Sequence, residues 1–414
     1  MLLLHFYVFL CPVLVDCFNL IEFGQKLWSF FKLIRPGDCR FVLNEDIPVT
    51  PLILSTKTPI EIIYPDNDNV IVLSHNKRLR LSCGDKFFNS SINGKKVHDV
   101  IITCVRDTTV SIGKEEFSIS DLECVDFPKS VIKSNKLGTC LENKTLIDVG
   151  FEIDGQFLKI YSACFDRRSQ NALYSWYDAS KLHNGRQYNV PRPVFTDKEF
   201  YTFNVDAAYY LHNQRSWMGS IMRSFKWAAR FILNDHMHYL CRGHLSPKAD
   251  FVYGVEQSAT FHFVNAAPQW HIFNVGNWGR LENAVRDMLV NREDRRDRYR
   301  VVTGTHGIAT LPDVNNNEQE LYLYEDENKN PLLKVPKLFW KLVYDMNQDQ
   351  GVVIIGVNNP YLKKIPSDYI ICKNICNKIR WLPEFNKDNS KGYIYCCEMD
   401  EFLKVTGFDK SFMN

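Results

Sequence analysis

Cys241-Arg242-Gly243-His244-Leu245, then Asn265-Ala266-Ala267-Pro268-Gln269, then Asn274-Val275-Gly276-Asn277-Trp278-Gly279-Arg280-Leu281-Glu282-Asn283-Ala284-Val285-Arg286 is the stretch on which the reading of this chain turns. His238-Tyr239-Leu240 runs into the first piece as a β-like segment. Ala259-Thr260-Phe261-His262-Phe263-Val264 alternates like a second strand, and residues 265–269 break it. From Asn274 onward, Trp278, Leu281, Val285 and Met288 recur at helical spacing, which predicts a helix with one buried face. Glu282 and Arg286 stand four apart and so sit side by side on that helix.

These pieces hold the three chemical types that phosphodiester hydrolysis needs: a base for water, a cation for the growing negative charge, and positive donors that hold the phosphate. His244 is the candidate base, because imidazole titrates near neutral pH. Arg242 lies two residues before it, so an extended strand turns both side chains to one face. Magnesium is a hard cation that keeps most of its waters, so the amide oxygen of Asn274 suffices as its protein ligand. Glu282 can reach the ion's water shell, and Arg286 a phosphate oxygen. Each residue also has a plainer reading: a histidine after glycine is often structural, and a Glu/Arg pair is often a solvated salt bridge. His236 and His238 could join His244 at a transition metal, although no carboxylate or cysteine completes a set. His262 and His271 read as core or surface residues, Asp250 as a turn or cap of its loop, and Cys241 as a buried thiol.

Arg242-Gly243-His244-Leu245, Asn265-x2-Pro268-Gln269 and Asn274-x-Gly276-x-Trp278-x2-Leu281-Glu282-x3-Arg286 resemble, in order and spacing, the DNA/RNA non-specific endonucleases of the ββα-metal superfamily. Thr303-Gly304-Thr305-His306-Gly307, Val335 to Lys341 and Val357-Asn358-Asn359-Pro360 are similar to the family's outlying blocks. The resemblance implies an α+β fold in which an antiparallel sheet carries a ββα-metal site. It implies His244 as general base, Asn274 as magnesium ligand (manganese substituting), and Glu282 as the acid that orders metal-bound water. Arg242 and Arg286 would contact phosphate, Asn265 would organise the site, and Arg192 in Val190-Pro191-Arg192-Pro193 is the candidate upstream arginine. The implied substrates are DNA and RNA, double-stranded RNA among them, and the products carry 5′-phosphates. The family motif often begins with Asp where Cys241 stands, which puts the hydrogen bonds that fix Arg242 in question. The competing reading is a secreted protein of the same fold that binds nucleic acid without cutting it; His244 and Asn274 are both intact, which favours the enzyme.

Outward from the motifs, residues 215–232 read as one amphipathic helix carrying Arg215, Arg223, Lys226 and Arg230 with interleaved aromatics. It is either a phosphate-binding face or a solvated one over buried rings. Tyr299–Gly304 and Gly351–Ile355 read as buried strands. Residues 150–165 read as two strands and 126–150 as a linker. Residues 39 to about 125 show short β-like runs separated by turns, which predicts a small sandwich or barrel. The domain plan is a signal peptide at 1–17, a β-rich accessory domain at 18–145 and an endonuclease domain at 150–405. The late cysteine pairs and the β-rich region resemble the secreted arthropod branch of the family.

The apolar run from Leu2 to Val15 is too short for a bilayer span and ends at Asp16, so it reads as a secretory signal; once removed, no membrane association is expected. The chain has 13 cysteines, and those left beyond Cys11 and Cys17 are odd in number. They predict several disulfides with at least one thiol free or paired between chains, and adjacent Cys396 and Cys397 suit zinc poorly. Asn89 and Asn143 stand in glycosylation acceptors. The protein is therefore expected outside the cell. A net charge of +2 over 414 residues argues mildly against a polyanion partner, yet a local basic patch can steer one.

Overall fold

A computed structural model describes residues 37–47, 49–65, 69–134, 140–180, 185–196, 200–291 and 297–408. The expected signal peptide at residues 1–17 lies outside the described residues.

The first part is β-rich, as its turn-punctuated sequence implies. Strands β1 (Cys39–Val42) and β3 (Val70–Leu73) form a two-stranded ribbon. Strands β2 (Leu52–Leu54), β4 (Arg78–Ser82), β5 (Asp99–Arg106), β6 (Thr109–Ile112) and β7 (Glu115–Ser118) form an antiparallel sheet in the order β2-β4-β5-β6-β7. Disulfides Cys39–Cys104 and Cys83–Cys124 staple this small module through its core. Ile60–Pro65, also strand-like in sequence, adds only an isolated bridge from Ile62 to Leu54, because Pro59 and Pro65 at its ends supply no ladder N–H.

An eight-stranded antiparallel sheet forms the frame of the rest. Its strands are β8 (Val131–Ser134), β9 (Thr145–Ile153), β10 (Gln156–Asp166), β11 (Asn171–Ser180), β14 (Arg298–Ile308), β19 (Pro336–Asp345), β20 (Gln350–Val357) and β21 (Ile394–Glu398), ordered β21-β20-β19-β14-β11-β10-β9-β8. The stretch expected to be a linker therefore supplies an edge strand, β8, and the start of β9. Its lysines and asparagines suit an exposed edge, where charge guards against stray pairing. Alternation sorts the central strands between two layers. Leu338, Trp340, Leu342 and Tyr344 pack under the C-terminal helix Met399–Thr406, while Phe339 and Val343 face the other way. Adjacent Cys396 and Cys397 point to opposite faces and join Cys376 and Cys372 respectively. These four cysteines thus form two disulfides, as expected over zinc; a fifth bridge links Cys140 to Cys164, and Cys241 is the free thiol among the described residues.

On the face of Phe339 and Val343 lies a ribbon of β12 (Leu240–His244) and β13 (Ala266–Trp270), followed by helix Gly279–Val290. Small hairpins β15 (Thr310–Pro312) with β16 (Glu318–Glu320), and β17 (Tyr322–Glu325) with β18 (Pro331–Lys334), complete the elements near it. Here the structure corrects the sequence reading. Residues 259–264 end helix Gly254–Ala259 and enter a 3-10 turn; the residues expected to break a strand form β13. All five β13 residues are buried, and a strand covered on both faces shows no alternation to detect. Pro268 is tolerated because the edge away from β12 is served by a side chain: Asn358 accepts from Trp270 N at 2.9 Å and donates to Pro268 O at 3.2 Å.

The basic segment 215–232 is two helices, Leu211–Ile221 and Phe225–Ala228. Arg223 breaks it at φ +56°, and Ser224 caps the second piece by accepting from Trp227 N. Arg215 is committed to Ile232 O at 3.0 Å and Asn234 Oδ1 at 2.9 Å, and Trp227 donates to Pro312 O. Those groups are structural.

Candidate active site

β12 is locked from both sides. Buried Gln214 accepts from Leu240 N at 2.9 Å and donates to Leu240 O at 2.8 Å. Gly243 is required by close approach: a Cβ there would lie 2.6 Å from Cβ of Gln269 on β13. Beyond the strand, Asn265 clamps the turn, accepting from Ser246 N at 2.8 Å and donating to Ser246 O and Thr260 O. Asn265 is wholly buried, so it holds the strand end in place and presents no surface to solvent.

Arg242 and His244 share one face of β12, as their spacing requires. The Arg242 guanidinium sits 4.9 Å over the Tyr209 ring and donates to the Asp206 carboxylate at 2.5 Å. Asp206, from helix Val205–Ala208, thus supplies the acidic partner that Cys241 does not. The His244 ring lies against Phe195 and Phe261, with centroids 5.1 and 4.9 Å away. Its Nε2 is enclosed and has no hydrogen-bond partner among the described residues. Burial, followed by the charges of Arg192 and Lys248, lowers its pKa to about 3. The ring is therefore neutral at neutral pH and keeps a lone pair free. Exposed Arg192 lies 5.6 Å over the Phe261 ring and acts on both His244 and Cys241.

Asn274 opens a π-type turn, Asn274–Trp278, kinked at Gly276. A Cβ on Gly276 would meet Lys391 O at 2.6 Å. The Asn274 amide N–H points to Cys241 Sγ at 3.5 Å. That contact puts Asn274 beside the strand that bears His244, three residues or about 10 Å along it. Burial pushes the Cys241 thiol up to about 12, so it stays protonated and inert.

One turn into helix Gly279–Val290, burial raises the Glu282 carboxyl to about 7 against the opposing charge of Lys341. The indole N–H of Trp278 lies beside it without closing a sound hydrogen bond. Lys341 is fully buried on β19, donates to Thr303 Oγ1, and has its pKa lowered by burial. Arg286 does not pair with Glu282. Its Nη1 donates to Asp250 at 2.5 Å and its Nη2 to Asn283. Asp250 also accepts from Tyr177 on β11, so it fixes the arginine as well as shaping its loop.

Sequence reasoning missed Asp206, Asp250, Lys248 and Lys341. A signal existed for Lys341: a lysine at the inward position between Phe339 and Val343 breaks a buried alternation. His236 and His238 do not join His244; His238 Nδ1 contacts Asp235 at 2.5 Å. Among the described residues no three His, Cys, Asp or Glu side chains gather to hold a metal. Among the described residues, most buried side-chain polar atoms without partners belong to this ββα unit: Arg242 Nε, His244 Nε2, both Gln269 amide atoms, Trp270 Nε1, His271 Nδ1 and Trp278 Nε1. Such groups are costly unless something else binds them.

A family model described as DNA/RNA non-specific endonuclease matches residues 142–402. The chain is 33% identical over 266 residues to a salivary endonuclease of Lutzomyia longipalpis, covering 62% of this chain and 59% of that protein. It is 28% identical to salivary protein Tsal1 of Glossina morsitans morsitans, covering 86% of each. A solved structure titled as the EndoG/EndoGI complex aligns with 63% of this chain and 86% of that one, at 14% identity and a TM-score of 0.33.

Proposed function

Because the chain belongs to the DNA/RNA non-specific endonuclease family, we propose that it is a secreted nuclease that hydrolyses phosphodiester bonds of DNA and RNA without reading sequence, with His244 as general base and magnesium held at Asn274. The observation that carries this reading is the His244 imidazole: neutral, part-exposed, without a hydrogen-bond partner for Nε2 among the described residues, and flanked by Arg192 and Lys248. A phosphodiester settling among those cations offsets their charge and raises the basicity of His244 toward the working pH. The part-exposed imidazole then takes the proton of the attacking water. Arg242, Arg192 and Arg286 hold phosphate oxygens, and Asp206 and Asp250 keep two of those guanidinium groups in place. Asn265 keeps the turn after His244 in register.

The residues fit magnesium. Asn274 Oδ1 accepts no hydrogen bond from the described residues, and Glu282, on the helix that follows, has no ion-pair partner among them; oxygen donors suit a hard cation. When bound, the ion neutralises charge growing on the phosphate and leaving oxygen. Glu282 orients water around it, and manganese substitutes. Cleavage leaves 5′-phosphates. The small β-rich module before β8 serves as an accessory to the endonuclease part expected at 150–405, whose sheet reaches back to β8. Disulfides, exposed Asn89 and Asn143, and salivary relatives support an extracellular setting. No helix among the described residues is long and apolar enough to cross a membrane.

Digestion of plasmid DNA and of single- and double-stranded RNA, with and without chelator, tests the reading. Cleavage should need a divalent cation. His244→Ala should lower the rate by a factor on the order of 10²–10⁴ while the protein still melts cooperatively; near-full activity would remove His244 from the mechanism. Asn274→Ala should raise the magnesium concentration giving half-maximal rate, and an unchanged requirement would place the ion elsewhere.

A further inference from the structure

Residues 185–196 form an irregular strap beside the site, with Arg186 lining a cavity with Arg286 and Phe195 against the His244 ring. Its buried members are anchors: Gln187 donates to Ile47 O at 3.1 Å and accepts from Gly254 N at 2.6 Å, and Lys248 donates to Val190 O at 2.6 Å. The N-terminal module grips it from outside. Asn44, held at φ +76°, donates to Arg186 O at 3.0 Å and accepts from Tyr188 N at 2.7 Å, a two-point clamp on alternate residues. Asn69 Oδ1 accepts from Arg186 N at 2.6 Å, and a Cβ on Gly185 would overlap the Pro65 ring.

This mounting presents three side chains that no hydrogen bond or ion pair engages among the described residues. Arg186 has an enclosed Nε without a hydrogen-bond partner and no ion pair among the described residues, and it lines a cavity with Arg286 and Asp250. Burial and the neighbouring Arg286 charge depress its pKa, so an anion there would relieve both costs. Tyr188 is 60% exposed and lines a groove of about 890 Å³. Arg192 follows over Phe261, whose ring borders the same groove at one edge and touches the His244 ring at the other. An exposed aromatic between two arginines, leading to the base, is the pattern by which proteins hold unpaired nucleic-acid strands.

We propose that this strap binds a single-stranded segment flanking the scissile bond, with Arg186 on a phosphate and Tyr188 stacked on a base, and that Asn44 of the N-terminal module is the positioning residue that holds it. The proposal rests on the endonuclease reading above. Stacking needs a splayed base, so Tyr188 favours single strands over duplex.

Fluorescence anisotropy of the full chain with a labelled single-stranded oligonucleotide and its duplex, in chelator, tests this. Tyr188→Ala should weaken single-strand binding about tenfold and duplex binding far less. Arg186→Gln should reduce the slope of log affinity against log salt by about 0.7 for the single strand. Asn44→Gly, which keeps the positive φ, should reproduce that loss of slope and add nothing to Arg186→Gln in the double variant, an outcome general destabilisation would not give. Wild-type affinity and slope in the Tyr188 and Arg186 variants would overturn the strap; equal losses for both nucleic acids would overturn the single-strand preference. If the strap fails while the wild type still cuts nucleic acid, the endonuclease reading stands; a wild type that neither binds nor cuts overturns that reading itself.

Discussion

Glu282 carries the sharpest consequence at the scale of single residues. Burial holds its carboxyl near 7, so its charged form is lost as pH falls through neutrality. His244 is already neutral and stays so down to about 3; it adds no acid limb near 7. If ionised Glu282 orders the metal's water, kcat/KM should fall about tenfold per pH unit below ~7. Rising magnesium should move the limb to lower pH, because the ion favours the carboxylate. Glu282→Gln should be slower and lack the limb; a limb that persists in that variant would assign it to another group. Arg242 shows how a residue-scale departure is absorbed. Cys241 stands where an acid is common, and Asp206, distant in sequence, takes over the hydrogen bond.

At the scale of elements, helix Gly254–Ala259 joins the two parts of the chain. Its Glu256 is buried, accepts from Tyr64 of the N-terminal module at 2.6 Å and from Tyr253 N at 3.1 Å. Burial raises its carboxyl from 4.5 to about 7. The folded state thus binds the proton more tightly than the unfolded chain. Stability from this group is fully present below about 4.5 and is lost as pH rises through about 7, by on the order of 3 kcal/mol at most. Glu256→Gln should remove that dependence, gaining most on wild type near pH 8 and least near pH 4.5 in denaturant titrations; parallel curves would mean that Glu256 titrates normally. The ribbon β12–β13 and the site helix were legible in kind but not in bounds. Helical spacing located Leu281, Val285 and Met288 correctly on the buried face. β13 was missed because burial on both faces erased its period, and Asn358, which completes its hydrogen bonds, lies 88 residues beyond Trp270.

For the whole molecule, the modest net charge of +2 hides a local concentration. Four cations are neighbours around the site: after burial, Arg192 and Arg186 disfavour the charged form of Lys248, and Arg286 that of Arg186, which a composition count cannot register. The N-terminal module belongs to the same argument, since its Asn44 and Asn69 hold the segment bearing two of those arginines. Cys39–Cys104 closes a separation of 65 residues within that module. Replacing both cysteines by serine should destabilise the protein by about 4 kcal/mol, seen as a lower denaturant midpoint; an unchanged midpoint would show the module's core sufficient alone. The sequence by itself determined the reactive types and their order, His244 before Asn274 before Glu282 and Arg286, because those lie within one short stretch and helical spacing is a local property. It also determined that cysteines would pair and that at least one would remain. Which cysteines pair, that Asp206 and Asp250 steady the arginines, that Lys341 faces Glu282 and that a distant asparagine mounts the strap were decided only by tertiary structure. Those contacts join residues far apart along the chain, and only the packing of the layers brings them within reach.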